Sequence, residues 1–129
     1  PETGSEKVVA YLQQCGPAFI SLLTKVEVRS AVTRWVRTGR LEAQDAARIL
    51  ATFEGDIIAA HLELLPLSAE AYLIAESLLG AYPQVGLTTL DALHLGMAFT
   101  GGVDEMATAD RLMAQAAERA GLPCRLFVV

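Results

Sequence analysis

The amino-acid sequence predicts an α/β fold of three layers, in which a parallel sheet carries helices on both faces. Short apolar runs alternate with longer segments whose apolar residues recur at helical spacing. No internal repeat, low-complexity tract or linker interrupts this alternation. The chain has 129 residues, of which 53% are hydrophobic and 19% charged, so it can bury one substantial core. We therefore expect residues 1–129 to form a single domain.

The first half of the sequence predicts three helices and two strands. Gly16-Pro17 separates the first helix from the first strand, and Gly39 ends the second helix. The third helix contains Gly55, where a kink is expected. The predicted elements are a helix over 5–14, a strand over 18–22, helices over 24–38 and 41–60, and a strand over 62–67.

The second half continues the alternation with three helices and two strands. Ser68 and Thr88 are capping residues at predicted helix starts, and Gly121-Leu-Pro123 closes the last helix. The predicted elements are a helix over 68–79, a loop over 80–86, a helix over 88–99, a strand over 103–107, a helix over 110–120 and a strand over 125–129. The order begins with a helix, whereas doubly wound domains usually open on a strand.

The charges are distributed unevenly along the chain. The formal net charge is −5, which argues against a general nucleic-acid coat protein. Half of the ten basic residues nevertheless fall within 25–40, while the segment 42–105 holds ten acids and Arg48 as its single basic residue. This asymmetry fits a polyanion-binding surface beside an acidic site that needs a cation, or an ordinary solvated helix face. No apolar run reaches the ~20 residues of a membrane span, and no leader opens the chain, so we expect a soluble, cytoplasmic protein.

Three of the fifteen carboxylates stand at the end of a predicted strand or at the start of a helix, where open α/β sheets place their sites. Each also has a structural explanation. Glu27 would be an acid near a helix start, Asp91 would complete the capping pattern Thr88-x-x-Asp91, and Asp110 would be the N-cap of the next helix.

Taken together, the three carboxylates predict a metal site. A parallel sheet would gather Glu27, Asp91 and Asp110 along one edge, and converging carboxylates repel each other unless a cation joins them. Hard oxygen ligands without nitrogen or sulfur suit Mg²⁺ or Mn²⁺. Such an ion can activate water and polarise a phosphate, which is the chemistry of phosphodiester hydrolysis.

Three sequence segments resemble successive acidic motifs of PIN domains, most closely those of VapC-type toxins from toxin–antitoxin pairs. The segments are Ile20-Ser-Leu-Leu-Thr-Lys-Val-Glu-Val-Arg29, Leu90-Asp-Ala-Leu-His-Leu95 and Ala107-Thr-Ala-Asp110. The resemblance implies a Mg²⁺-dependent endoribonuclease that cleaves structured RNA such as tRNA or rRNA, a small cognate antitoxin, and a homodimer.

The resemblance also implies roles for individual residues. Glu27, Asp91 and Asp110 would be the catalytic and metal-binding acids, and Thr108 an accessory polar group. Arg29, the nearest basic residue to the first of these motifs, would be an RNA phosphate contact.

One family motif has no counterpart in this sequence. PIN domains open with an apolar strand that ends in Asp-x-Ser/Thr, and the sequence begins with a segment that resembles the stretch downstream of it. Because that strand is the central one in the family, its loss would leave two half-sheets, and we interpret the chain as an N-terminally incomplete PIN-like domain. The alternatives are a catalytically incomplete binding or dimerisation module and a receiver-like signalling domain. A receiver needs a lysine near its last strands, and no lysine follows Lys25.

Several aromatic and apolar residues have two interpretations. Trp35 could stack on a base, but its helical spacing from Val28 and Val32 favours a core or interface position. His94 lies on an apolar helix face and is interpreted as a core residue. A further group could be core or a surface for a partner subunit: Tyr72, Leu78, Leu79 and Tyr82.

Overall fold

A computed structural model of the protein describes residues 4–60 and 62–127, and their side chains from residue 6 onwards. The described elements are α1 (Gly4–Gln14), β1 (Phe19–Ser21), α2 (Leu22–Arg37), α3 (Ala43–Ala59), β2 (Glu63–Leu65), α4 (Ala69–Ala81), a 3₁₀ turn (Pro83–Val85), α5 (Thr89–Thr100), β3 (Met106–Thr108), α6 (Arg111–Arg119) and β4 (Cys124–Leu126). The predicted order of helices and strands is confirmed. This mixed helix and strand architecture is consistent with the predicted α/β class.

The element boundaries differ from the prediction by a residue or more, and two of these differences change how a segment is described. The segment 80–86 is not simply a loop, because α4 continues to Ala81 and a 3₁₀ turn follows at Pro83–Val85. The strand predicted over 103–107 begins only at Met106, whose amide bonds to the Pro123 carbonyl and starts the pairing with β4. The Val103 amide instead bonds to the Ala98 carbonyl, so this residue closes the turn that follows α5.

The described strands form two sheets of two strands each, β1 with β2 and β3 with β4. β3 and β4 are parallel, with Met106 opposite Cys124 and Thr108 opposite Leu126. The helix α6 connects them, which makes a βαβ unit. The three-layer arrangement and the absent central strand stay predictions.

The chain divides into two compact units, one of residues 1–16 and 65–129 and one of residues 17–64. In the larger unit, α4, α5 and α6 enclose a hydrophobic core with Leu95 and Met97 fully buried. A methyl group at Gly96 of α5 would clash with the carbonyl of Ala71 in α4, so these two helices touch through their backbones. The core cluster consists of Leu78, Val85, Leu95, Ala98, Met113, Ala116, Ala117 and Leu122.

The smaller unit contains α2 and α3 and has fewer buried residues. Val32, Ala46 and Ile57 are the buried hydrophobic residues among those described in 17–64. A salt bridge of 3.5 Å between Lys25 Nζ and Glu54 Oε1 joins α2 to α3. The helix α3 runs through Gly55 as one continuous helix. The prediction of a single domain stays a prediction.

Candidate functional site

Asp110 lies between β3 and α6 and is the N-cap of α6, as its structural explanation requires. Its Oδ1 accepts hydrogen bonds from the amides of Leu112 at 2.8 Å and Met113 at 3.2 Å. These bonds satisfy two of the amides that a helix start leaves without partners. The second carboxylate oxygen, Oδ2, has no hydrogen bond within the described part of the chain. Asp110 can therefore cap its helix with one oxygen and offer the other to a ligand.

Thr108 fixes the backbone that presents Asp110. Its Oγ1 accepts a hydrogen bond from the Asp110 amide at 3.0 Å, and its carbonyl accepts one from the Phe127 amide at 2.9 Å. The side chain thus forms a turn over two residues, of the kind common for Ser and Thr. Through these hydrogen bonds Thr108 positions Asp110.

Asp91 lies in the first turn of α5, where Thr88 is the N-cap and accepts a hydrogen bond from the Asp91 amide at 3.2 Å. The Asp91 carboxylate itself makes no hydrogen bond or ion pair to any residue that the structure describes, so it does not close the capping pattern. The side chain is half-buried, and three residues that follow it in the helix, Ala92, Leu93 and Leu95, are buried. The helix dipole favours a negative charge at this position.

Glu27 is exposed on α2, within the smaller unit. The helix begins at Leu22, and its N-cap Ser21 accepts a hydrogen bond from the Leu23 amide at 3.0 Å. The first turn of α2 contains no acid, so Glu27 lies beyond the reach of the helix dipole that was its structural explanation. Asp91 and Asp110 belong to the larger unit.

The donor chemistry of these carboxylates fits a hard divalent cation. The Asp91 carboxylate and Asp110 Oδ2 are oxygen donors with no bonds to protein groups in the described residues. Across residues 4–60 and 62–127, no group of three or more His, Cys, Asp or Glu side chains is gathered in a position to hold a metal ion. The described residues thus offer suitable individual ligands rather than an assembled three-carboxylate group.

A side-chain cluster in the larger unit has no counterpart in the sequence predictions. The Tyr11 hydroxyl of α1 donates a hydrogen bond of 2.6 Å to Glu105 Oε1. The Tyr11 ring lies 5.5 Å from the Phe127 ring in an edge-to-face arrangement and 5.6 Å from the Arg125 guanidinium. Burial and, after it, the hydrogen bond to Glu105 raise the pKa of Tyr11 to about 12. No local pattern could have predicted contacts across 94 positions of sequence.

The sequence left two interpretations open for several aromatic and apolar residues, and the structure places some of them in the core and others at the surface. Trp35 is 39% exposed and so lies outside the core, while an interface position for it stays a prediction. Leu78 is buried, while Tyr72 and Leu79 are 54% and 37% exposed. Tyr82 is half-buried, and its hydroxyl donates a hydrogen bond of 2.9 Å to the Arg119 carbonyl. The helix α4 therefore packs one face into the core and leaves an apolar face exposed.

The architecture and the carboxylates at helix starts define an α/β protein with the ligand types of a metal-dependent hydrolase. The sequence pattern that describes the PIN domain matches residues 1–119, and the chain therefore belongs to the PIN domain family. PIN domains are generally nucleases that act on RNA or DNA with divalent metal ions. No curated protein matches the chain closely enough to count as a relative. None of the helices in the described residues is long and apolar enough to cross a membrane.

Proposed function

We propose that this PIN domain is a VapC-type toxin, an endoribonuclease that hydrolyses phosphodiester bonds in structured RNA with Mg²⁺ or Mn²⁺. The observation that carries the proposal is the half-buried Asp91 carboxylate in the first turn of α5, which has no hydrogen bond or ion pair with the residues that the structure describes. A half-buried carboxylate without a protein partner costs free energy, and a bound cation offsets that cost. The match to the PIN family supplies the class of reaction.

The proposal assigns roles to the chain's own residues. Asp91, Glu27 and Oδ2 of Asp110 would hold the cation, and Thr108 would keep Asp110 oriented through its bond to the Asp110 amide. When bound, the cation supplies an activated water and polarises the scissile phosphate. The cap bonds from Leu112 and Met113 hold Asp110 Oδ1, so Oδ2 needs little reorganisation to bind a ligand.

The expected partners follow from the toxin assignment. A tRNA or rRNA would be the substrate, and a small cognate antitoxin in the cytoplasm would neutralise the enzyme. The exposed apolar face of α4, with Tyr72 and Leu79, supports a homodimer because apolar residues on a surface commonly mark interfaces. The catalytic and metal-binding residues, the antitoxin and the dimer are all part of the proposal.

Cleavage of total RNA tests the proposed function. Wild-type protein with Mg²⁺ is compared with the Asp91→Asn variant, and Glu76→Gln, an exposed acid of α4, is the matched control. Asp91→Asn should reduce the rate at least about 100-fold because it removes a charge that stabilises the reaction. Glu76→Gln should cleave at the wild-type rate. Addition of EDTA should stop cleavage, and excess Mg²⁺ should restore it.

The opposite results would identify a different class of protein. Cleavage that persists in Asp91→Asn would remove this residue from the catalytic group. A wild-type protein that binds RNA without cleaving it, with either Mg²⁺ or Mn²⁺, would favour the binding or dimerisation module.

A further inference from the structure

Four arginines in and after α2 have no charged partner among residues 4–60 and 62–127. Arg29, Arg34 and Arg37 lie on the helix, Arg40 lies in the turn after it, and all four are exposed. None of their guanidinium groups forms a salt bridge or hydrogen bond with the residues that the structure describes. Other cations of the same compact unit are paired, since Lys25 bonds to Glu54 at 3.5 Å and Arg48 to Asp45 at 2.8 Å. We call these four residues the α2 arginine face.

The spacing of these arginines destabilises the helix that carries them. Arg34 and Arg37 lie three residues apart on α2, where like charges repel, and Arg40 adds a third positive charge in the turn that follows. No acid occurs three or four positions from any residue of the α2 arginine face. The negative end of the helix dipole favours Arg34 and Arg37, which lie in the last turn, but it does not act on Arg29 in the middle of the helix. A bound anion would remove the repulsion.

The three helical arginines share one side of α2. At about 100° per residue they fall within a sector of roughly 140°, which excludes the buried Val32. Arg29 and Arg37 are separated by eight residues, or about 12 Å along the axis, with Arg34 between them. This extended row suits a chain of anions better than a single small anion.

Phosphate is the anion that this surface fits best. The guanidinium group is planar and donates two parallel hydrogen bonds to a phosphate, so it binds phosphate better than a lysine does. Trp35 is 39% exposed on the same helix, but it lies about 100° from Arg34 around the axis and outside the sector of the arginines. Arg34 leads to Glu27, an acid of the proposed metal site, which favours the RNA substrate of that site over an acidic protein partner.

We infer that the α2 arginine face binds the phosphate backbone of a single-stranded segment of RNA. This inference rests on the proposed function, because it takes that RNA to be the substrate of the nuclease. Arg34 has a particular place in this surface. It follows Glu27 by seven residues, so the two lie about 20° apart around the helix and about 10 Å apart along it. Arg29 lies about 200° from Glu27 around the same axis. The RNA would therefore follow Arg37 and Arg34 towards Glu27.

RNA binding without cleavage tests the inference. A fluorescently labelled single-stranded RNA is titrated with the full chain in EDTA over a range of salt concentrations. Each phosphate contact contributes about 0.7 to the slope of log affinity against log salt. The double variant Arg34→Gln/Arg37→Gln should therefore lose about 1.4 from this slope. Arg48→Gln, which removes a paired arginine of the same unit, should keep the wild-type slope.

A second measurement uses intrinsic fluorescence. Trp35 is the only tryptophan of the chain, so its fluorescence reports on α2 alone. Saturating RNA should change this fluorescence more in the wild-type protein than in Arg34→Gln/Arg37→Gln, and an equal change in the two proteins would place the RNA elsewhere. An unchanged salt slope in the double variant would overturn the inference as well. If the double variant instead loses affinity for polyglutamate while its RNA binding is unaltered, the face binds an acidic protein and the inference is wrong.

The two proposals fail in different ways. RNA cleavage that depends on Asp91, together with an unchanged salt slope in the double variant, would preserve the proposed function and reject the RNA contact at α2. A reduced slope in a protein that cleaves no RNA would preserve the contact and reject the nuclease.

Discussion

The two compact units differ in how their helices are held together. In the larger unit, Leu95 and Met97 are fully buried and Gly96 lets α5 approach the backbone of α4. In the smaller unit, large apolar side chains such as Val26 and Ile58 remain 67% and 73% exposed, and the salt bridge between Lys25 and Glu54 supplements a small set of buried residues. The larger unit depends on close packing, while the smaller one tolerates an open, charged surface.

This contrast has a consequence for function. Close packing fixes the helix starts that present Asp91 and the cap that holds Asp110. The exposed surface of α2 is free to carry unpaired arginines, because few of its side chains are needed for a core. The proposed chemistry thus relies on rigid supports in the larger unit, and the proposed RNA contact on an accessible helix in the smaller one.

The largest expected difference in the free energy of unfolding arises from side-chain burial. Leu95→Ala should lower the free energy of unfolding by about 2–5 kcal/mol because it leaves a cavity in the core of the larger unit. Ile58→Ala, at a position 73% exposed in the smaller unit, should change it by less than about 0.5 kcal/mol. Urea denaturation followed by circular dichroism measures both. Equal losses in the two variants would contradict the contrast between the units.

A pair of glycine substitutions tests backbone packing. Gly96→Ala should destabilise the protein by about 1–3 kcal/mol, because the new methyl group would push the backbone of Ala71 away. Gly55→Ala adds a methyl group with nothing within 4 Å on the exposed α3, and should stabilise it by about 0.5–1 kcal/mol. The midpoints of urea unfolding should move in opposite directions. If Gly96→Ala leaves the stability unchanged, α4 and α5 are not in backbone contact.

Two substitutions of Asp110 separate its structural role from its proposed catalytic role. Asp110→Ala removes both cap bonds to the start of α6 and should cost about 1 kcal/mol of stability. Asp110→Asn keeps an oxygen for the cap, so stability should stay within a few tenths of a kcal/mol of wild type. Its RNA cleavage should nevertheless be lost together with the charge. If Asp110→Asn cleaves RNA normally, the residue is a cap alone.

The smallest expected effect concerns Tyr11. Tyr11→Phe removes the hydrogen bond to Glu105 and should cost about 0.5–1 kcal/mol at neutral pH, since the bond is exposed. The pKa of Tyr11 is raised to about 12 from 10.0, so the folded protein favours the protonated hydroxyl. This contribution is complete below pH 10 and is lost as the pH rises towards 12. Unfolding measured at pH 9, 10 and 11 should show the decline in wild type, and a smaller one in Tyr11→Phe.

Much of the fold could be predicted because its signals are local. The order of helices and strands follows from apolar periodicity, and the caps Ser68, Thr88 and Asp110 act on amides two or three residues away. The candidate carboxylates were found in the same way, by their positions at predicted strand ends or helix starts. The toxin assignment, the metal and the roles of Glu27, Asp91 and Asp110 remain proposals.

Other features depend on contacts between residues that are distant in the sequence. The approach of Gly96 to Ala71 and the bond from Tyr11 to Glu105 leave no periodic pattern, because each partner lies on another element. The exposed position of Trp35 could not be inferred either, since helical spacing gives the side of a helix but not what covers it. The sequence determines the helices, strands and caps of this protein, because these depend on interactions between nearby residues. Long-range packing establishes which side chains are covered and which stay exposed.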